Sequence, residues 1–392
     1  MIGVNLHAMF INERLNEALK KREAEDALRQ LRVGNGLVDF CSNDYLGFAQ
    51  NEQIKNYLAE QLPGLRKIGS TGSRLLKGNY SLIEQVENQL AQFHDAPSAL
   101  FFNSGYEANS GLIASVVSRH DTIIYDELCH ASLREGIRLS AATAYSFLHN
   151  DMAALEDKLQ KAKGEKFIVI ESVYSMDGDI CPLPEIVTLA NQYQAAIILD
   201  EAHATGVIGN KGEGLAQHLG LQHQIFARVH TFGKAIGSNG AVVLGEPVLR
   251  NYLINFCKPF IYSTAPNYLQ VLAVSKAYHL LQNGEAAIAQ LWENINRFKF
   301  LTQRFSHISI LKSDSAIFSV IIPGNEQVKL AAKYIQNAGY DVRAVLSPTV
   351  PAGKERLRIC LHSFNTELEI LRLVKLLEQI VTIIDNDSIE EA

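Results

Sequence analysis

The feature that most limits the fold of this chain is a regular exchange, beyond Pro97, of short β-rich runs with helical stretches. The runs are Ser98-Ala-Leu-Phe-Phe, Thr122-Ile-Ile-Tyr, Phe167-Ile-Val-Ile-Glu and Ala196-Ile-Ile-Leu-Asp, with helices expected to open near Glu107, at His130 and after Pro184. A strand that returns parallel to its neighbour needs a crossover long enough to hold a helix, so this alternation predicts an α/β fold with a mainly parallel sheet sandwiched by helices. The runs are apolar throughout, as expected when helices cover both faces.

After about residue 270 the pattern changes to a long helical region (Tyr268 to Phe305), an alternating strand from Ala316 to Ile322 and a leucine-rich helix from Thr366. That predicts a smaller α+β domain. Upstream, Leu15, Ala18, Leu19 and Leu28 recur at near-helical spacing between Ile11 and Leu31, which predicts an amphipathic helix covering a core. A chain of 392 residues exceeds what one core usually holds. The expected division is an N-terminal helical segment over 1–45, a large domain over 46–275 and a small C-terminal domain over 276–392. No repeat, low-complexity tract or long linker separates them, so the lobes are expected to pack together.

Composition narrows the function classes. The net charge of −6 is spread along the chain and supplies no basic face for a nucleic-acid backbone. Five cysteines, odd in number and without a CxxC pair, argue against a disulfide framework and structural zinc, and for a reducing compartment. No run approaches the length of a membrane span and no signal-peptide pattern opens the chain, so a cytoplasmic enzyme without metal is expected.

The chemistry concentrates where strands end. Ile197-Ile-Leu-Asp200 runs into Glu-Ala-His203-Ala-Thr-Gly206, and ligand-contacting residues in open α/β sheets gather at such carboxyl ends. His230-Thr231-Phe-Gly-Lys234 sets a lysine after a strand and among glycines, where a ring can approach backbone closely. Singly, a lysine is most often a solvated charge and a strand-end aspartate a helix cap. Together they are more specific, because a carboxylate can keep a pyridine nitrogen protonated while a lysine amine forms an imine with an aldehyde on the same ring. His203 could then hold the ring's phenolic oxygen. In Asn103-Ser104-Gly105-Tyr106-Glu-Ala-Asn109 a strand gives way to a helix through a glycine, so free N–H groups and the helix dipole face an anion such as phosphate. By itself this turn is equally an ordinary serine-capped connection. His130 could lie flat on the ring or simply open its helix.

In this order the pieces resemble the α-oxoamine synthases, a branch of the fold-type I pyridoxal phosphate enzymes. The resemblance runs over nearly the whole chain through Ser42-Asn-Asp-Tyr-Leu-Gly47, Gly69-Ser-Thr-Gly-Ser-Arg74, Asn103-Ser-Gly-Tyr106, His130-Ala-Ser, Ser175-Met-Asp-Gly178, Asp200-Glu-Ala-His203, Thr231-Phe-Gly-Lys234, Tyr262-Ser-Thr264 and Arg356-Leu-Arg358. It implies that pyridoxal 5′-phosphate is bound as a Schiff base on Lys234. Asp200 would partner the ring nitrogen, His203 the phenolic oxygen, and His130 would stack on the ring. The phosphate would lie on backbone at Gly105 and Tyr106, on Thr231, and on Ser263 and Thr264 from a second subunit of a homodimer. Asn43 and Arg358 match the positions that hold the amino-acid carboxylate, and Glu171 and Ser175 match strand-end positions near the cofactor.

The resemblance implies condensation of an amino acid with an acyl thioester of coenzyme A or acyl carrier protein, with loss of CO₂ and release of thiol. Thr-Phe-Gly-Lys and Asp-Glu-Ala-His-Ala-Thr-Gly favour the biotin-pathway branch, which joins L-alanine to a pimeloyl thioester. Asp26-Ala-Leu-Arg29 also resembles that branch, with Arg29 placed for the acyl carboxylate, although the stretch between Arg32 and Asp39 is shorter than in many relatives. Glycine C-acetyltransferase and serine palmitoyltransferase chemistry are the alternatives within the family, and fold-type I amino transfer is a more remote one. Asp200-Glu-Ala-His203 also spells a helicase motif, but the G-x-x-x-x-G-K-[ST] loop it requires is absent.

Overall fold

The computed structural model describes residues 6–31, 33–34, 36–305 and 308–390. The first strand, β1 (Val38–Asp39), leads to a seven-stranded sheet built from β2 (Ser98–Phe102), β3 (Thr122–Asp126), β4 (Thr143–Phe147), β5 (Lys166–Glu171), β6 (Ala195–Asp200), β7 (Ala227–Thr231) and β8 (Ala241–Gly245). Their spatial order is β2-β8-β7-β6-β5-β3-β4. The pairs from β4 to β7 are parallel, as expected, and β8 alone runs antiparallel, to both β7 and β2. Ile168, Val169, Ile170, Ile197, Ile198 and Leu199 are almost wholly buried, which accounts for their unbroken apolar runs. Capping fixes where the crossover helices begin: Ser104 Oγ accepts from Glu107 N at 3.2 Å, and Asp151 Oδ1 accepts from Ala154 N at 2.9 Å.

A second, four-stranded antiparallel sheet has the order β12-β13-β10-β9, from β9 (Ser309–Ile310), β10 (Ile317–Ile321), β12 (Arg343–Val345) and β13 (Arg356–Cys360). β1 pairs in parallel with β11 (Tyr340–Asp341), tying the segment before residue 45 to this C-terminal region. One apolar cluster runs from Phe40 and Tyr45 through Ile170 and Leu199 to Phe318, Ile359 and Leu377, so the two sheets share buried packing.

Two local expectations need correction. The first helix spans Leu6–Ala24, not Ile11 to Leu31, and it does not cover a core among the described residues: Ile11, Leu15 and Leu19 are each about half exposed. The long helical region is two helices, Tyr268–Gln282 and Glu285–Thr302, interrupted at Asn283-Gly284. Both faces of the strand around Phe318 are covered, and Ser319 Oγ donates to Met176 O, bringing β10 against the loop that follows β5.

That loop is also pinned from β3. His149 places Nδ1 2.9 Å from Asp126 Oδ1 and Nε2 2.7 Å from Asp179 Oδ2. Burial opposes charging of the imidazole, but the two carboxylates outweigh it and raise the pKa to about 10. A histidine whose pKa is raised on folding stabilises fully below its unfolded value and loses that contribution as pH climbs through the folded one. His149→Gln should therefore cost about 2–4 kcal/mol at pH 7, since it strands the fully buried Asp126 without its cation. Equilibrium unfolding should show the gap to the parent narrowing as pH rises towards 10; a gap independent of pH would mean that His149 acts by shape alone.

Candidate active site

The site forms where β5, β6 and β7 end. Parallel register sets Glu171 beside Asp200, so two carboxyl groups emerge together from the sheet. Asp200 is almost wholly buried: its Oδ2 accepts from Asn109 Nδ2 at 2.6 Å and its Oδ1 from Ala202 N at 2.7 Å. Burial, and then the Asp200 charge, push the Glu171 carboxyl up to about 8. Glu171 Oε1 accepts the backbone N–H of His130 at 2.5 Å. That fixes the start of the Ala131–Leu139 helix, which His130 caps. His130 Nδ1 lies 2.8 Å from Ser132 Oγ, and burial depresses its pKa.

Lys234 sits three residues beyond the end of β7. Burial lowers its amine to about 8, against the opposing pull of Asp200 and Glu171, so an appreciable neutral fraction exists near physiological pH. His203 is buried and held well below the ordinary histidine value by desolvation, with Lys234, Arg358 and His130 adding to the effect. Its Nδ1 lies 2.8 Å from the hydroxyl of Tyr45.

Two observations mark an anion cradle. At the Asn103-to-Tyr106 turn, Ser104 caps the Gly105–Val116 helix, leaving the first-turn N–H groups of Gly105 and Tyr106 facing outward from the sheet end. A Cβ on Gly105 would stand 2.5 Å from Thr231 Cγ2, so only glycine allows the approach of this turn to β7. Thr231 Oγ1 is buried and has no hydrogen-bond partner among the described residues. A buried hydroxyl without a partner is costly unless a ligand supplies one.

Arg358, on β13, crosses from the smaller sheet into this space. Its Nε donates to Ser175 O at 2.7 Å, its Nη1 to Cys360 Sγ at 3.0 Å and its Nη2 to Asn43 Oδ1 at 3.0 Å. The guanidinium is thereby oriented from three sides.

The structure thus brings Lys234, Asp200, His203, His130, Glu171, Thr231, Gly105, Tyr106, Ser175, Asn43 and Arg358 to one region, joined through shared contacts and charge couplings. Ser263 and Thr264 lie beside the same chain's Asn103, whose Nδ2 donates to Thr264 O at 2.8 Å. Arg29 stands apart: it is exposed, and its Nη2 donates to Thr349 Oγ1 at 3.2 Å. Asn109 and Tyr45 emerge as site residues to which sequence reasoning gave no role, although both fall inside quoted motifs. The available signal was polarity within segments that fold into buried positions.

These features suit pyridoxal phosphate: an amine at Lys234 for an aldehyde, a carboxylate at Asp200 for a ring nitrogen, and an unpartnered hydroxyl beside a helix N-terminus for a phosphate. A family model described as aminotransferase class I and II matches residues 35–377. The chain belongs to that family. Within it, the chain is 40% identical, over 92% of its length and 93% of the relative's, to an 8-amino-7-oxononanoate synthase of Emericella nidulans. Among solved structures, a serine palmitoyltransferase from S. paucimobilis with bound PLP and myriocin superposes with a TM-score of 0.87 at 25% identity, covering 97% of this chain and all of that one. An 8-amino-7-oxononanoate synthase from Francisella tularensis gives a TM-score of 0.75 at 27% identity, covering 91% and 99%. Class I and II family membership agrees with the mainly parallel sheet and with the position of the site at its carboxyl edge.

Proposed function

We propose that the chain catalyses the pyridoxal phosphate-dependent, decarboxylative condensation of L-alanine with a pimeloyl thioester, giving 8-amino-7-oxononanoate, CO₂ and free thiol, in biotin synthesis. The observation that carries the chemistry is the charge coupling of the buried Lys234 amine with the Asp200 carboxylate at one sheet edge, with the Thr231 hydroxyl unpartnered among the described residues. The choice of substrates is supported by the 40% identity to the Emericella protein.

When bound, pyridoxal phosphate supplies an aldehyde for covalent capture of amines and a ring that takes up electron density from the bond being broken. Lys234 would hold it through Nζ, and the same amine would serve as base for the alanine α-proton, a task suited to a group whose pKa lies near the working pH. Asp200, oriented by Asn109 and the Ala202 N–H, holds a proton at the ring nitrogen. His130 would cover one face of the ring and His203 would meet its phenolic oxygen. Arg358 and Asn43 hold the alanine carboxylate, for which a planar guanidinium offers a bidentate grip. Gly105, Tyr106 and Thr231 take the phosphate, while Glu171 and Ser175 orient His130 and Arg358 respectively.

The proposed active form is a cytoplasmic homodimer in which Ser263 and Thr264 of one copy complete the phosphate site of the other. Support comes from exposed apolar side chains near those residues and elsewhere, including Tyr262 at 81% and Leu76 at 85% exposure, a degree of exposure suited to an interface. The bond from Asn103 engages only the Thr264 carbonyl and leaves the hydroxyl available. The five cysteines are free, which suits a reducing compartment.

The likeness to serine palmitoyltransferase structures favours one competing reading, a different amino acid and a longer acyl group. A panel crossing alanine, glycine and serine with acetyl, succinyl, pimeloyl and palmitoyl thioesters separates the two. Thiol release should be fastest with alanine and pimeloyl thioester, by about tenfold or more over the glycine and serine pairings, since discrimination of one or two small groups is typically of that order. Preference for serine with palmitoyl thioester would replace the substrate assignment while keeping the family.

A further inference from the structure

Tyr45 is wholly buried in the Ser42-to-Gly47 segment, and its backbone carbonyl accepts the N–H of Ser363 at 2.8 Å. The mechanism above gives it no part. Its hydroxyl lies 2.8 Å from His203 Nδ1 and 3.1 Å from Asn43 Oδ1; its one proton can serve only one of them, and Nδ1 is an acceptor or a donor according to the tautomer. Asn43 Oδ1 already receives the charged Arg358 Nη2 at 3.0 Å. Among the described residues His203 has no such second donor at Nδ1, and burial, with the charges of Lys234, Arg358 and His130 adding to it, keeps the imidazole neutral with a single ring proton. Burial keeps the Tyr45 phenol protonated and therefore a donor.

We propose that Tyr45 is a positioning residue whose hydroxyl donates to His203 Nδ1, which places the imidazole proton on Nε2 and aims that N–H at the phenolic oxygen of the cofactor ring. The inference rests on the cofactor reading above and deepens it. The nitrogen that faces a ligand is set by the bond the other nitrogen makes, so removing the hydroxyl frees the opposite tautomer, whose Nε2 is an acceptor and repels an oxygen lone pair.

The test compares the parent holoenzyme with Tyr45→Phe, which keeps the aromatic packing, and with His203→Gln and the double variant. Three quantities are followed: the pH midpoint of the cofactor's visible absorbance, kcat, and KM for alanine. For Tyr45→Phe the midpoint should move by at least about half a pH unit and kcat should fall roughly tenfold, with KM for alanine within about twofold, the pattern of a lost orienting contact rather than lost substrate binding. In the His203→Gln background the same change should leave the midpoint where it was, because the coupling runs through the imidazole. An unmoved midpoint in Tyr45→Phe, a raised KM with kcat intact, or an equal shift in the His203→Gln background would each overturn the inference. A parent protein without visible cofactor absorbance would overturn the cofactor reading and this inference together, whereas a normal parent spectrum with an unmoved variant overturns the inference alone.

Discussion

Lys234→Ala should abolish covalent attachment of pyridoxal phosphate and lower thiol release by on the order of 10³-fold or more, since it removes both the anchoring amine and the α-proton base. The loss should not come from misfolding. The folded lysine pKa is lowered, so the unfolded chain binds more protons between about pH 8 and the ordinary lysine value, and the buried amine disfavours the native state below that window. Its removal should therefore leave the cofactor-free protein at least as stable at pH 7, which thermal unfolding would show. Borohydride reduction followed by mass measurement gives the decisive comparison: a cofactor-sized adduct on the parent and none on the variant. Retention of the adduct and of the parent absorbance would place the attachment on another amine and remove the basis for every role assigned around Lys234.

Much of this architecture was legible before any coordinates, and the parts that were not share a physical cause. Apolar runs such as Phe167-Ile-Val-Ile and Ala196-Ile-Ile-Leu mark parallel strands because burial on both faces leaves no alternation. The strand Ala241–Gly245 went unread, since five small and branched residues after a glycine-rich stretch carry no sign of direction, and its antiparallel pairing is set by its neighbours. Periodicity likewise showed that the first helix has an apolar face without showing that this face stays half exposed among the described residues, because a pattern of side chains specifies a surface and not what covers it. Among the site residues, Lys234, Asp200 and His203 stood out through motif and strand-end position. Asn109 and Tyr45 did not, because their functions consist of hydrogen bonds to residues 91 and 158 positions away, which only the assembled fold brings within reach.

Asp200→Asn tests the other half of the central pair and separates anchoring from electronics. The substitution is nearly isosteric, and the surroundings can accept it: Asn109 Oδ1 is buried without a partner among the described residues, so a rotation of the Asn109 amide would offer an acceptor to the new amide while Ser132 Oγ turns its proton to match. The Ala202 N–H keeps its acceptor. What disappears is the negative charge that retains the ring nitrogen's proton. Glu171 does not stand in for it, even though relief from Asp200 favours ionisation of its carboxyl, because Oε1 remains committed to the His130 N–H. The variant should thus keep the adduct on Lys234 and bind alanine through Arg358 and Asn43 with little change. Its thiol release should fall by about 10²–10³-fold, the scale on which removal of one preorganised electrostatic contact is felt in the transition state. Exchange of the alanine α-proton with solvent deuterium, measured without thioester, should fall in parallel, because proton removal is the step that draws on the charge. Exchange at the parent rate with slow thiol release would move the defect to acyl transfer and show that Asp200 acts after the proton has gone.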